Sequence, residues 1–369
     1  MKIKSNRETL IKGIQSIQSN TSSKTGTITI LQNFLMETEN DELKLVFTDL
    51  EMAVKHYIKV SIDQEGSITL PLKKFTDILH VLNPEDEISI NVDKASRVTI
   101  LSGKSRFSMG GIVKSEYPVI PDVDEANVFR IPALKLAGYL SKTIFAASNE
   151  SERQFLSGLL FANDKKSFSI VATDGKRLAV LRDTSLNIKQ NFKIIVPAKV
   201  LNELIKFINL SDFDEKQDVS VSYSQNQVAF KIGKTLFISR LVDGKFPDYE
   251  QIIPKSSEIS ISMDSEKILN LTKKALVCAN ERTGSVKYVF KKNILIVQAS
   301  SPNMEFEDET EIEYAGKEFE ISFKPKYIVD VLKVVNQRFT FKVNSSSMPV
   351  LIKPEGEDNF LYIMMPLRT

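Results

Sequence analysis

Ile194–Ile208 reads IIVPAKVLNELIKFI, a β-branched run, a proline break and then apolar residues at helical spacing. The same construction occurs twice more, as Ile68–Leu82 (ITLPLKKFTDILHVL) and Glu320–Val335 (EISFKPKYIVDVLKVV). Apolar positions coincide across the copies: Phe75, Leu201 and Ile328; Ile78, Leu204 and Val331; Leu79, Ile205 and Leu332; Leu82, Ile208 and Val335. An acid coincides as well (Asp77, Glu203, Asp330), and so does a lysine (Lys73, Lys199, Lys326). The copies are offset by 126 and 127 residues, and a fixed period of that length means a triplicated domain.

Working outward, each repeat opens with a strand and a helix: Met1–Ser5 and Arg7–Ser19, Val128–Ile131 and Ala133–Ala147, Glu258–Met263 and Asp264–Ala279. Hairpins follow, with turns at Asn40-Asp41, Asn163-Asp164 and Lys292-Asn293. A third strand completes the unit, Ala53–Ile62 in the first repeat. After the recurring stretch come three more strands, for example Ile88–Val92, Val98–Leu101 and Arg106–Met109. The pattern predicts an α+β chain of three similar domains, each a β-α-β-β-β unit used twice, with two helices against its sheets. The linkers also repeat: Tyr117–Asn127 and Phe246–Glu258 each carry an aromatic-Pro pair, an Ile-Pro pair and acids. Domain boundaries are therefore expected at 1–125, 126–252 and 253–369, with proline stiffening the connectors.

Charged residues make up 26% and apolar residues 42% of 369, an ordinary globular balance. The single cysteine, Cys278, excludes an intrachain disulfide and fits a reducing cytoplasm. No apolar run approaches the ~18 residues of a membrane span, and no signal-peptide core opens the chain. A soluble cytoplasmic protein is expected.

Net charge is only +2, but its distribution is uneven. The six predicted helices carry +1, +1, +2, +1, +1 and +1, so the remainder of the chain is acidic. One basic helix is unremarkable; six of the same sign point to one acidic partner, most simply a phosphate backbone. Packed helices lie ~9 Å apart and are ~10 Å thick. Six in an even circle leave a bore of only ~7 Å, whereas twelve leave ~24 Å. B-DNA is roughly 20 Å across, so two copies of the chain could encircle a duplex and one could not.

Candidate chemistry is sparse. Asp49 (FTDLEMAV) and Asp174 (ATDGKRLAV) occupy matching turns, but the third copy has Ser301. A metal-dependent hydrolase using Asp49 and Asp174 is the rival reading; it lacks a recurrent acid, His or metal ligand beside them. A repeat protein with no DNA role is a second rival, and it predicts no preference for basic helices. No phosphate-loop, dinucleotide, HExxH or CxxC pattern occurs, so no metal or cofactor is expected. Gly175, Lys176 and Arg177 occur in the middle copy alone, which marks that turn as special. The C-terminus, NFLYIMMPLRT, ends apolar and suits either a last core strand or an adaptable peptide-binding surface.

ATDGKRLA (Ala172–Ala179), LVDGKFPDY (Leu241–Tyr249), FKPKYIVDVL (Phe323–Leu332) and MPLR (Met365–Arg368) resemble the bacterial sliding clamp family, the beta subunit of DNA polymerase III, over the whole chain. The resemblance implies the DNA clamp fold, helices inside and sheets outside, closed as a head-to-tail homodimeric ring on duplex DNA. It implies a non-catalytic processivity factor that tethers the polymerase alpha subunit, the clamp loader and repair proteins through short apolar peptides. By the same resemblance, Leu156, Thr173, Gly175, Lys176, Arg177, Leu178 and Pro247 form one wall of the peptide pocket, and Tyr327, Ile363, Met365, Pro366, Leu367 and Arg368 the other. Arg177 and Arg368 would rim an apolar slot. DNA-facing lysines would be Lys12, Lys73, Lys135, Lys142, Lys199, Lys206, Lys273 and Lys333. The dimer seam would set Phe107, Met109, Lys74 and Ile78 against Val277 and Cys278 of a second copy. The chain departs from the family at Lys176, Gln251 and Lys324, and lacks an aromatic near Arg282–Thr283.

Overall fold

The computed structural model describes residues 1–18, 29–121, 127–149, 153–164, 166–279 and 284–367. Among them lie six α-helices: α1 (Arg7–Ile17), α2 (Leu72–Val81), α3 (Ala133–Thr143), α4 (Ala198–Leu210), α5 (Ser265–Cys278) and α6 (Pro325–Leu332). Local chemistry fixes their starts. The Asn6 side chain accepts from Thr9 N at 2.7 Å and caps α1; Asp264 accepts from Lys267 N at 2.9 Å and caps α5; Pro325 opens α6, where a missing N–H does no harm. On α4, Val200, Leu201, Leu204 and Ile208 are fully buried, each stabilising by about 2 kcal/mol. Leu204→Ala would open a cavity under that helix.

The strands of the first repeat are β1 (Lys2–Ser5), β2 (Asn33–Glu39), β3 (Glu42–Thr48), β4 (Met52–Ile58), β5 (Ser61–Gln64), β6 (Ser67–Pro71), β7 (Ile88–Val92), β8 (Arg97–Ser102) and β9 (Ser105–Gly110). The second holds β10 (Val128–Pro132), β11 (Gly158–Asn163), β12 (Phe168–Thr173), β13 (Arg177–Asp183), β14 (Phe192–Pro197), β15 (Asp218–Tyr223), β16 (Gln227–Ile232) and β17 (Thr235–Arg240). The third holds β18 (Ile259–Asp264), β19 (Val286–Lys291), β20 (Ile294–Ser301), β21 (Met304–Glu311), β22 (Phe319–Phe323), β23 (Arg338–Val343), β24 (Val350–Pro354) and β25 (Phe360–Met364).

Each repeat exchanges strands between its halves. The opening strand joins the late trio, giving β1-β7-β8-β9, β10-β15-β16-β17 and β18-β23-β24-β25. The strand of the recurring stretch joins the early trio, giving β6-β2-β3-β4, β14-β11-β12-β13 and β22-β19-β20-β21. Every pairing is antiparallel. Four of these half-sheets then fuse in pairs, β4 to β17 and β13 to β25, into two eight-stranded sheets. The remaining two keep open edges at β9 and β21.

Two expectations are corrected. The single strand over Ala53–Ile62 is two, because β4 stays in the eight-stranded sheet while β5 pairs with β1 in the five-stranded one. The apolar, β-branched run carries through the break, so composition does not mark it. The last helix ends at Leu332 rather than Val335, leaving Lys333 as its C-cap.

Compactness divides the chain differently from the repeat. One unit is Met1–Leu136 with Asn202–Leu241, the other Ala137–Leu201 with Val242–Thr369. The cuts fall inside α3 and α4, since each fused sheet takes four strands from each of two repeats.

Candidate functional site

The turn that is special to the middle repeat joins β12 to β13. Thr173 Oγ1 accepts from Gly175 N (3.0 Å) and donates to Arg177 O (2.6 Å). Asp174 Oδ1 accepts from Lys176 N (2.9 Å) and Arg177 N (3.0 Å). Gly175 sits at φ +85°, where a side chain would be strained. Asp174 is thus a turn former, and its second oxygen is taken by Arg177 Nε at 3.0 Å.

Arg177 does not rim an open slot, contrary to the expectation. It is buried, with Nη1 on Asp330 Oδ2 at 2.7 Å and Nη2 on Phe145 O at 2.5 Å. Its guanidinium carbon lies 4.6 Å from the centre of the Tyr327 ring and 5.7 Å from that of Phe145. Burial works against its charge, yet the Asp330 hydrogen bond and the neighbouring acids leave its pKa raised. The planar fork suits this task, joining the turn to helix α6 through two carboxylates and a carbonyl. Asp330 also holds Lys326 Nζ at 2.8 Å on the exposed side of α6.

Beside this rivet lies an apolar face. Leu178 stands opposite Ile363 across the β13–β25 seam, and the two pack with Leu160, Val171, Val180 and Ile195. Phe155, Val242, Phe246 and Tyr249 cover that cluster while keeping part of their own surface exposed. The tail continues past β25: Met365 N donates to Lys176 O at 2.8 Å and Leu367 N to Ser322 O at 2.8 Å. Met365 is 39% exposed; Pro366 and Leu367 are half-buried. Tyr327 is buried, its carbonyl accepting from Tyr362 Oη at 3.2 Å.

The structure therefore brings Thr173, Gly175, Lys176, Arg177, Leu178, Tyr327, Ile363 and Met365 into one neighbourhood. Leu156 is buried, but it is the adjacent Phe155 that packs on the cluster. Pro247 is exposed, and the preceding Phe246 makes the contact. Arg368, like Arg282 and Thr283, lies outside the described residues. Sequence reasoning missed Phe155, Phe246 and Tyr249; the aromatic-Pro pair of the linker was the available signal. Of the departures, Gln251 Nε2 donates to Asp248 Oδ2 at 2.7 Å and Lys324 Nζ stands 5.9 Å from the Tyr327 ring centre.

Family models for the N-terminal, central and C-terminal domains of the DNA polymerase III beta subunit match residues 1–121, 130–248 and 250–368. The beta sliding clamp of Haemophilus influenzae is 30% identical over 371 residues, covering all of both chains. That of Escherichia coli is 29% identical over 374 residues, again covering both in full. The chain belongs to the bacterial sliding clamp family. Solved clamps agree in fold: those of Pseudomonas aeruginosa and Bartonella birtlesii, each bound to griselimycin, superpose with TM-scores of 0.92 and 0.93 at 28% identity over the full length of both chains. The clamp is a processivity factor of DNA replication, an accessory subunit of the polymerase rather than a catalyst. The hydrolase reading of Asp49 and Asp174 finds no support.

The clamp's helix lysines differ in their engagement. Lys12 pairs with Glu8 at 2.6 Å, Lys206 with Glu203 at 2.9 Å, and Lys142 with Glu357 at 2.5 Å. Lys135 and Lys199 are half-buried. Lys73, Lys273 and Lys333 are exposed and make no ion pair among the described residues. With the helix ends as found, the charges become +1, +1, +2, +1, +2 and 0, because Lys333 has left α6. No helix is long and apolar enough to cross a membrane among the described residues.

Of the residues assigned to a dimer seam, Phe107 and Met109 are half-buried on the open edge β9. Ile78 is half-buried, and Lys74 and Val277 are exposed, Val277 at 73%. Cys278 is buried within its own chain at 7% exposure, next to Val277 at the end of α5.

Proposed function

We propose that two clamp protomers close head to tail around duplex DNA, each contributing three domains with boundaries at 1–125, 126–252 and 253–369. One observation carries this reading. The third strand of an early trio mates with the third strand of a late trio at β4·β17 and at β13·β25, and among the described residues the strands of those two classes left unmated are β21 and β9. Open edges are normally protected, and a second copy offers the missing match. In β17·β4, Phe237 faces Val54 and Ser239 faces Met52. Carried to the repeat-equivalent positions, that register sets Phe107 against Phe306, Met109 against Met304, and Arg106 against Glu307 of the second copy. β21 also carries Glu305, Asp308, Glu309 and Glu311, so its field favours the basic residues Lys104 and Arg106 around β9. Phe306 and Met304 thereby join the seam, with Val277, Cys278, Lys74 and Ile78 flanking the strand pair.

Twelve helices then line the bore. Lys73, Lys273 and Lys333 supply a mobile positive field, with Lys12, Lys135, Lys142, Lys199 and Lys206 behind them. The contact is with phosphate and reads no sequence. The apolar face around Leu178 and Ile363, edged by Gly175, Lys176, Pro247, Met365, Pro366 and Leu367, receives the short apolar peptides of the polymerase alpha subunit, clamp loader and repair proteins. Leu156, Thr173, Arg177 and Tyr327 support it from within. The griselimycin-bound relatives support a ligand-taking surface in this family. No cofactor enters this reading, and the site of action is the cytoplasm.

The test is retention on nicked circular DNA after loading by the clamp loader. Linearising the circle should release the protein within the time it takes to slide to an end. Retention on the cut DNA would sink the topological reading.

A further inference from the structure

The turn between β3 and β4 repeats that between β12 and β13 hydrogen bond for hydrogen bond. Leu50 N donates to Thr48 Oγ1 (3.1 Å) as Gly175 N does to Thr173 Oγ1 (3.0 Å). Glu51 N and Met52 N donate to Asp49 Oδ1 (3.1 and 3.0 Å) as Lys176 N and Arg177 N do to Asp174 Oδ1 (2.9 and 3.0 Å). Across the seam, Arg240 N reaches Glu51 O (3.4 Å) where Met365 N reaches Lys176 O (2.8 Å). Ile238 faces Ala53 where Ile363 faces Leu178.

The side chains placed on this shared backbone differ. A cleft of about 340 Å³ opens here, bounded by Leu50, Ile238 and Arg240 and by Pro118, Val119 and Ile120 of the linker; that size is within the range of small-ligand sites. Leu50 holds φ +75°, the conformation for which the middle repeat uses glycine. A bulky residue in that region is an outlier, and such strain gathers at functional sites. Leu50 nevertheless keeps 53% of its surface exposed and Val119 keeps 93%. Arg240 is exposed and forms no ion pair among the described residues.

We propose that this cleft is a second peptide-docking site, taking a short extended segment of a partner protein that carries an aliphatic anchor and an adjacent carboxylate. The anchor seats between Leu50, Pro118 and Val119, and the carboxylate pairs with Arg240. That charge separates it from the first site, where the apolar Met365 holds the equivalent position. Only the class of ligand is borrowed from the reading of the first site.

The probes are two acetylated pentapeptides offered to the full-length protein, Asp-Ser-photoleucine-Ser-Leu and its counterpart with Lys in first place. Cross-links from the Asp peptide should map to 48–53 and 118–121, with a yield about fivefold or more above that of the Lys peptide. Arg240→Glu should reverse the preference, and Arg240→Gln abolish it, with unchanged melting temperatures confirming an intact fold. Leu50→Gly should cut the yield about threefold or more without lowering the melting temperature. Equal yields from both peptides, no cross-link at those residues, or an Arg240→Glu variant that behaves as the parent would overturn the proposal. Cross-links confined to 173–178 and 363–367 would remove this site and leave the first standing; cross-links at the cleft alone would do the reverse.

Discussion

Two turns with one backbone, Thr48–Met52 and Thr173–Arg177, have been given opposite tasks. The second uses glycine where the chain must turn left-handed and then an arginine that binds Asp174, Asp330 and Phe145 O. The first uses leucine at the left-handed position, and its Met52 is a plain buried apolar residue at 4% exposure. One turn is locked to a neighbouring helix by charge; the other is left open with apolar surface in water. A shared hydrogen-bond frame therefore fixes geometry without fixing function, which rests on two side-chain positions per turn.

The largest effect expected from breaking this contrast is at the rivet. Arg177→Met, which gives the second turn the residue type of the first, takes the cation from Asp174 and leaves the buried side of Asp330 unpaired, with Lys326 alone on its exposed side. It should cost about 3–5 kcal/mol, read as a lower urea midpoint and faster amide exchange in α6. Met52→Leu, by contrast, should change stability by less than about 1.5 kcal/mol.

Next in size is a pH dependence of the first junction alone. His56 on β4 lies 2.8 Å from Thr235 Oγ1 on β17. Burial, opposed by Glu42, pushes its pKa from 6.5 down to about 4. The fold favours the neutral ring, so the unfolded chain binds the proton more readily. Stability owed to this group is whole above pH 6.5 and declines as pH falls from 6.5 toward 4, by up to about 3 kcal/mol. His56→Gln should flatten that part of the profile in denaturant titrations. An unchanged slope would mean that the ring is solvated in solution.

Smallest is the exchange at the left-handed position. Gly175→Leu should destabilise by about 1–2 kcal/mol, while Leu50→Gly should leave stability within about 1 kcal/mol of the parent because relief of strain offsets the entropy glycine adds to the unfolded chain. Paired thermal melts would sharpen the comparison: equal losses at both turns would mean that Leu50 is not strained.

Much of this was legible in the sequence because it is local. Apolar spacing located all six helices, and turn residues located the hairpins to within a residue or two. The unrepeated GKR and the apolar tail marked the region of the site, whereas Leu178 and Ile363 themselves came from the family resemblance. What escaped is set by distance along the chain. Nothing in KHYIKVSID marks the switch of sheet between Ile58 and Ser61. The burial of Arg177 depends on Asp330, which lies 153 residues away. The strand exchange within each repeat was invisible for the same reason: periodicity says that a residue lies in a strand, not which strand lies beside it.

That exchange sets a schedule for synthesis on the ribosome. Lys2 cannot find Asn91, Val128 cannot find Ser222, and Ile259 cannot find Val343 until nearly a whole repeat has emerged. The edge of β4 waits longer still, for Thr235–Arg240. Pairings so remote form slowly and leave sticky edges exposed while they wait. The nascent chain must therefore be sheltered over long stretches of translation, and a stop codon at any repeat boundary would release a fragment with an unsatisfied sheet edge.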